Sequence, residues 1–453
     1  MQLSTTLRGK TWQFKDLKDV LAKANELKSG DELAGIAAST ELERVAAKRV
    51  LAEVTVAELR EHPVAPYEED EVTRLDRDGL DPVTSRELGP LCLGELRERV
   101  LASTTTGREL LAWGRGLTAE AIAGLAKLMT NLDLVRAASK IRVVTHANTT
   151  VGLAGRLSVR LQPNHTADDP DAITASLMEG LAWGSGDALI GVNPVTDDAD
   201  STLAVLRTLH EFTRAHGVPT QCCCLAHVTT QMEALRRGAP MDILFQSLAG
   251  SEAGNRAFGI DIALLREAQA MIRELGTSVG PHQLYFETGQ GSELSSNSHW
   301  GADQLVLEAR CYALARAFSP FLVNTVVGFI GPEYLFDARQ VIRAGLEDHF
   351  MGKLAGLPMG CDACYTNHME ADQNDLENLA VILATAGVNY FMGLPMGDDI
   401  MLNYQSTSFH DNQTLREVLG LRPTPEFEAW LEHRGLMADG KLTSLAGDLR
   451  VFL

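Results

Sequence analysis

No lysine occurs between Ile141 and Gly352, across the whole middle of the chain. A Schiff-base aldolase or a pyridoxal enzyme built on this region would need a strand-borne lysine, and arginine cannot take that role. Lys353 falls toward the end of a helical pattern and Lys441 lies in the C-terminal tail. Long apolar runs are also missing: none reaches the roughly 18 residues that span a bilayer. The first ten residues, Met1 to Lys10, lack the apolar core expected of a signal peptide. There is no Gly-x-Ser-x-Gly elbow, no Walker loop, no His-Glu-x-x-His and no His-x-His, which removes the usual signatures of serine hydrolases, nucleotide phosphatases and hydrolytic metal centres. Aromatics are few, at 6%. Cationic charge is outweighed, with 40 Lys+Arg against 60 Asp+Glu and a net charge of −20. That balance argues against a nucleic-acid backbone or an anionic membrane as partner. It suits a cationic small substrate, or simple solubility. Seven cysteines do not form a disulfide pattern. Three are contiguous, Cys222 to Cys224, as expected of a buried strand in a reducing cytoplasm.

What is present is length and an apolar core. The 453 residues, 45% of them hydrophobic, suit one large barrel with an added module. Residues 1–135 read as an all-α region, with helical spacing from Phe14 to Lys28 and from Ser39 to Leu51, and shorter helices at Thr55–Arg60 and Glu95–Leu101. This region reads as a dock for the barrel or for a partner subunit. The acidic run Glu68 to Glu71 reads as solvated surface.

From residue 136 to 420 the pattern becomes short apolar strands alternating with amphipathic helices, followed by a tail, 421–453. Eight strands are predicted: Leu157–Leu161, Ala188–Val192, Thr220–Ala226, Asp242–Leu248, Gln283–Phe286, Leu322–Val327, Leu357–Cys361 and Val388–Met392. Intervening helices include Asp171–Trp183, Ser201–His216, Ala302–Phe318, Asp337–Leu354 and Leu376–Ala386. This is the size and order of a (β/α)8 barrel of the TIM type. The rival is an open doubly wound sheet, which would normally carry a Gly-rich phosphate turn after its first strand; none is visible.

In such barrels the chemistry sits at the C-terminal strand ends. Those ends carry Arg160 and Gln162, Asn193, His227, Gln246 with Ser247, Glu287, Val326, Asp362 and Met392. Glu287 ends an apolar strand and runs straight into Thr288-Gly289-Gln290-Gly291. A carboxylate there is costly without a partner. Arg160 could pair with it or with Asp362, and two carboxylates facing one pocket favour an ammonium-bearing ligand. A second reading is zinc: Cys361, Cys364 and His368 have ligand-like spacing, with His227 as a fourth donor. A third is a non-catalytic scaffold that kept the fold. Glu347-x-His349-x-x-Gly352 echoes a cobalt-ligating Asp-x-His-x-x-Gly pattern with the wrong acid and in a helix, so no metal ligand is assigned.

Several long stretches carry a family resemblance: Arg160-Leu161-Gln162-Pro163-Asn164, Gly191 to Asp198, Leu225 to Gln231, Tyr285 to Gly291, Asn324 to Pro332, Gly345 to Lys353 and Gly360-Cys361-Asp362. The chain resembles the large-subunit family of ethanolamine ammonia-lyase over essentially its whole length. The resemblance implies a (β/α)8 barrel with adenosylcobalamin over its mouth, between this chain and a separate small subunit in a hetero-oligomer. It implies conversion of ethanolamine to acetaldehyde and ammonia, begun by a cofactor-derived radical that takes hydrogen from the hydroxyl-bearing carbon. The lower cobalt ligand would come from the cofactor's own base. Residue by residue, it implies Glu287 on the substrate hydroxyl and amine, Arg160 and Asn193 on the hydroxyl side, and Gln162 and Asp362 on the ammonium. Arg160, Glu287 and Asp362 are then the catalytic set. Pro194, Gln246, Ser295 and Met401 match cobalamin contacts, and Phe329 and Met392 would shape the adenosyl pocket. The loop at 293–300 departs from the family pattern, with Glu293 where small residues are usual. The role of His227, the oligomeric state, and residence in a bacterial microcompartment stay open.

Overall fold

The computed structural model describes residues 3–328, 330–331 and 333–453. Its centre is one sheet of eight parallel strands: β1 Ser158–Leu161, β2 Leu189–Val192, β3 Cys222–Cys224, β4 Leu244–Ser247, β5 Leu284–Thr288, β6 Leu322–Val327, β7 Met359–Ala363 and β8 Tyr390–Gly393. Their order, β3-β2-β1-β8-β7-β6-β5-β4, brings the first and last strands of this sheet together and bends it into a barrel. The strands are buried almost throughout, which is why they read as continuous apolar runs rather than as alternation.

The barrel is not laddered between β3 and β4. That seam is held by other bonds. The N–H groups of Asp242 and Ile243 donate to Cys222 O at 3.3 Å, and the Cys222 N–H donates to Asp242 Oδ2 at 2.8 Å. Gln231 spans it from outside, giving its Nε2 to Ala226 O and Phe245 O and accepting from the Phe245 N–H.

Strand periodicity splits the core in two. Cys223, Leu189, Tyr285, Leu322 and Tyr390 form a cluster inside the barrel. Cys222, Cys224, Phe286 and Val323 face the helices instead. The three contiguous cysteines therefore alternate as a strand requires. Gly360 leaves room for the Tyr390 ring, since a Cβ there would lie 2.2 Å from it. The N-terminal end of the barrel is stoppered by a small hairpin, Thr145–His146 against Thr150–Val151, whose Ala147 and Val151 join the inner cluster. Thr145 Oγ1 donates to Phe321 O and Thr149 Oγ1 to Asp187 O, both at 2.7 Å.

The outer ring includes helices Pro170–Ala182, Ala199–Ala215, Ile262–Leu275, Gln304–Arg316, Ala338–Leu354, Gln373–Thr385 and Phe409–Leu419. The N-terminal region is helical, as expected, with one addition: it opens on a β-hairpin, Ser4–Leu7 against Lys10–Gln13. Arg8 and Gly9 both have positive φ, 50° and 75°, the turn that matches strand twist in a two-residue hairpin. The helix expected from Phe14 to Lys28 is shorter, Leu17–Ala24, and a separate short helix, Ser29–Leu33, follows beyond the expected span.

The acidic run is solvated at Glu68 and Glu69, as expected, but is corrected at its third residue. Asp70 is fully buried, not solvated, and accepts from Arg310 Nη2 at 2.7 Å. Arg310 also meets Glu120 at 3.2 Å. Further buried pairs, Lys28 with Glu347 at 2.8 Å and Lys127 with Asp303 at 2.7 Å, fasten the N-terminal region to the barrel helices. Each cation offsets the cost of burying the carboxylate it meets.

Candidate active site

The C-terminal strand ends bring Arg160, Gln162, Glu287 and Asp362 to one place. Arg160 lies on β1 with its side chain inside the barrel and 1% exposed. It fits because residue 191 on β2 is glycine: a Cβ there would stand 3.0 Å from Arg160 Nε and 3.2 Å from Nη2. Arg160 Nη1 reaches Glu287 Oε1 at 3.5 Å and Met392 Sδ at 3.1 Å. The guanidinium carbon lies 5.4 Å from the centre of the Tyr285 ring. Its Nε and Nη2 are buried and unpartnered. Burial would lower the Arg160 pKa, but Tyr285, Glu287, Tyr404 and Asp362 hold it above the usual range, so the cation is fixed.

Glu287 sits within β5 rather than after it, because the strand runs on to Thr288. Its Oε1 accepts from Tyr285 Oη and, at 3.4 Å, from Asn324 Nδ2. Oε1 thus faces donors from β5 itself, β6 and β1. Asp362, on β7 and 1% exposed, accepts from Tyr404 Oη at 2.8 Å and from Ser406 Oγ. Burial pushes its carboxyl up to about 7, against the pull of the Ser406 and Tyr404 hydroxyls; Glu287 raises it further and Arg160 lowers it.

The sequence reading missed the group that completes this end. After β8 the chain forms two-residue strands at Asp398–Asp399 and Tyr404–Gln405, which join Tyr365–Thr366 in a small antiparallel sheet. Asp399 is 2% exposed. Its Oδ2 accepts from Gln162 Nε2 and from Asn164 Nδ2 at 2.9 Å. Its Oδ1 accepts from the N–H groups of Met401 at 2.9 Å and Leu402 at 2.7 Å. Asn164 also accepts from the Asn193 N–H at 2.8 Å and gives its Nδ2 to Asn193 Oδ1 at 3.3 Å. The Asn193 amide nitrogen is not used in either bond and keeps its N–H donors.

The other expected residues fall around this centre. Met392 is buried against Arg160. Gln246 is committed to its surroundings, accepting from the Val228 N–H at 3.0 Å and donating to Ser247 O at 3.1 Å. Ser295 is exposed at the end of a four-residue helix, Ser292–Ser295, and Pro194 and Met401 are half-buried in mouth loops. Phe329 lies outside the described residues. Loops after β2, β5, β6 and β8 expose apolar side chains: Val195 at 48%, Trp300 at 36%, Phe336 at 40%, Met396 at 81% and Ile400 at 60%.

The zinc arrangement is not assembled. His227 caps the helix Val228–Arg236, with Nδ1 on Thr229 Oγ1 at 2.7 Å and Nε2 on Phe258 O at 2.9 Å. Cys364 Sγ donates to Val327 O at 2.7 Å, and His368 is exposed. Among the described residues no three His, Cys, Asp or Glu side chains are grouped to hold a metal ion. Glu347 is consumed by Lys28 and Arg343, and His349 is buried with Nε2 3.3 Å from Ala386 O. Glu293, in the divergent loop, is buried; its Oε1 accepts from the Gly250 N–H and from Cys311 Sγ at 3.5 Å, tying the loops after β4 and β5 together.

Residues 12–445 match the family model for the ethanolamine ammonia lyase large subunit. The chain is 56% identical over 452 residues to the ethanolamine ammonia-lyase large subunit of Escherichia coli K12, covering 100% of both chains. To the Salmonella typhimurium protein of the same name it is 57% identical, again over 452 residues and 100% of both. Among solved structures, HydG, a maturase of the [FeFe]-hydrogenase, aligns with a TM-score of 0.45 at 11% identity, over 80% of this chain and 83% of that one. With full-length identity to two such relatives and a family match over nearly all its residues, the chain belongs to the ethanolamine ammonia-lyase large-subunit family.

Proposed function

We propose that this chain is the catalytic subunit of an adenosylcobalamin-dependent ethanolamine ammonia-lyase, converting ethanolamine to acetaldehyde and ammonia with a small subunit as partner. The observation that carries this reading is a buried Arg160 that reaches Glu287 with Nη1 and holds Nε and Nη2 unpartnered beside it. Buried guanidinium donors without acceptors are rare, and a substrate oxygen would satisfy them. Glu287 accepts from that oxygen's proton, and Asn193 Nδ2 supports it. At the other end, Asp362 and the Oε1 of Gln162 face the ammonium.

The cofactor supplies the radical that the chain's own side chains cannot form. The exposed apolar ring of Val195, Trp300, Phe336, Met396 and Ile400 fits a broad, partly apolar group seated on the mouth. Pro194, Gln246, Ser295 and Met401 would hold it, with Met392 and Phe329 lining the space beneath. The residues of the barrel fix the substrate's orientation, keep its amine charged and exclude water. All seven cysteines are free thiols, which suits a cytoplasmic setting, in the open or within a bacterial microcompartment.

Electron paramagnetic resonance tests the assignment. The chain, its small subunit, adenosylcobalamin and ethanolamine are mixed and frozen during turnover. A cobalt(II)–organic radical signal that needs substrate and vanishes in Glu287→Gln is the expected result. A folded, cofactor-bound complex that gives no signal with ethanolamine rules the assignment out.

A further inference from the structure

We propose that Asp399 and Tyr404, on the small sheet over the barrel mouth, and Ser406 just beyond it are positioning residues that set specificity by making the amine end of the site acceptor-only, so that it takes an ammonium and rejects a second neutral hydroxyl. This rests on the amino-alcohol reading above.

The argument starts from an amide. A glutamine side chain has one donor end and one acceptor end, and its orientation is fixed only by its partners. Gln162 Nε2 donates to Asp399 Oδ2 and to Tyr404 Oη at 3.3 Å. Turning the amide over would set its carbonyl oxygen against Asp399. The Asp399 oxygens already accept from four N–H donors, of Gln162, Asn164, Met401 and Leu402, so a carbonyl oxygen turned toward them would face acceptors. The Gln162 carbonyl oxygen is therefore the end left for a ligand, and no described residue donates to it.

Asp362 is treated in the same way by the same sheet. Tyr404 accepts from Gln162, so its own proton points on to Asp362 Oδ2, and Ser406 donates to Oδ1. Two hydroxyl donors on one carboxylate favour its charged form. The groups that face Asp362 are Arg160 from β1, Glu287 from β5, Tyr404 from the strand above it with Ser406 just past that strand's end, and Cys364 beyond the end of its own strand. Arg160 is the one cation among them and is directed at Glu287.

A ligand group at this end thus meets Gln162 Oε1, Asp362 and Glu287. An ammonium has three N–H donors and no lone pair, so it matches. With Asp362 charged, a hydroxyl has one donor and must present its lone pairs to oxygens that cannot donate. Leaving polar groups unmatched in a buried site is how a site rejects a near-isostere. None of the three residues needs to touch the substrate to have this effect.

The test uses the complex with the small subunit, loaded with a cobalamin that lacks the adenosyl group so that nothing turns over. Calorimetry measures ethanolamine and 1,2-ethanediol binding to the wild type, Asp399→Asn, Tyr404→Phe and Ser406→Ala. Asp399→Asn keeps an oxygen for the Met401 and Leu402 N–H groups but adds an amide donor that lets Gln162 turn over. Ethanolamine binding should weaken by about tenfold or more, with ethanediol unchanged or tighter, so that the preference collapses. Tyr404→Phe keeps the ring, and should move the pH midpoint of ethanolamine binding upward. Ser406→Thr should restore what Ser406→Ala loses. If the variants weaken both ligands equally and leave the pH midpoint in place, the residues are merely structural and the proposal is wrong. If the wild-type complex binds neither ligand, the amino-alcohol reading fails, and this inference with it.

Discussion

Arg160 reaches Glu287 across 3.5 Å with one nitrogen while two others, Nε and Nη2, meet no acceptor. A fork with spare donors differs from a closed salt bridge: it is built to bind something further. Arg160→Lys should keep the charge and lose the fork. On the proposed reading, kcat/KM for ethanolamine should fall by about 10²-fold or more, as for other lost transition-state donors. Steady-state kinetics of the reconstituted complex reads this directly; wild-type kinetics in the lysine variant would mean that charge alone suffices.

Glu287→Gln preserves shape and removes the charge beside Arg160. On the proposed reading, kcat should fall by about 10²–10⁴-fold, the range for a group that holds or moves a proton at the reacting centre. Tm should change little, because the side chain remains partly accessible and Tyr285 Oη can still donate to the amide oxygen.

Binding should depend on pH through Asp362, whose carboxyl is raised to about 7 chiefly by burial. On the proposed reading, ammonium binding needs the charged form. The ethanolamine association constant should therefore climb as pH rises toward about 7 and level off above it. Stability runs the other way. A carboxyl raised by folding holds its proton more tightly in the native state than in the unfolded chain. It contributes stability that is complete at low pH, below the ordinary carboxylate range, and lost as pH rises through about 7. Asp31 and Asp348 are shifted upward by burial too and add in the same direction. Ligand-free Tm should fall between pH 5.5 and about 7.5 if these groups dominate the pH dependence. A Tm that rises over that interval would contradict them.

Two glycines separate stability from function. Gly360→Ala would place a methyl 2.2 Å from the Tyr390 ring inside the core, and overpacking of that kind costs about 1–3 kcal/mol. Gly191→Ala meets Arg160 Nε at 3.0 Å, a contact that a small shift of the guanidinium relieves. The first should lower Tm with activity per folded molecule retained. The second should lower kcat/KM with Tm nearly unchanged. Calorimetric unfolding beside kinetics distinguishes them.

Lys28→Met leaves Glu347 with Arg343 alone in a site where both Lys28 and Glu347 have side chains 0% exposed. Breaking a buried pair from one side costs about 3–5 kcal/mol. Urea unfolding should show this loss, and Lys28→Met with Glu347→Gln should recover part of it.

The eight barrel strands were legible because parallel strands are buried on both faces and leave unbroken apolar runs in the sequence. Glu287, Arg160, Gln162 and Asp362 were legible because each interrupts or ends such a run. Asp399, Tyr404 and Ser406 were not. They lie on strands of two residues or just beyond, where no period can register, and Asp398-Asp399 looks like any solvated acidic pair. Asp70 was misread for the same reason: its burial depends on Arg310, which lies 240 residues away in sequence. The N-terminal hairpin did leave a signal, the Gly9 after Arg8, but its flanking strands are only four residues each.

The hairpin at Thr145–Val151 closes one end of the barrel, so among the described residues the way in lies at the opposite end, past Arg160, Glu287 and Asp362. On the proposed reading, whatever enters must leave by the path it came in on. A group seated across that end, together with the sheet that carries Asp399 and Tyr404, then governs traffic in both directions. Release of the two small products would have to wait for the same opening that admits the next substrate.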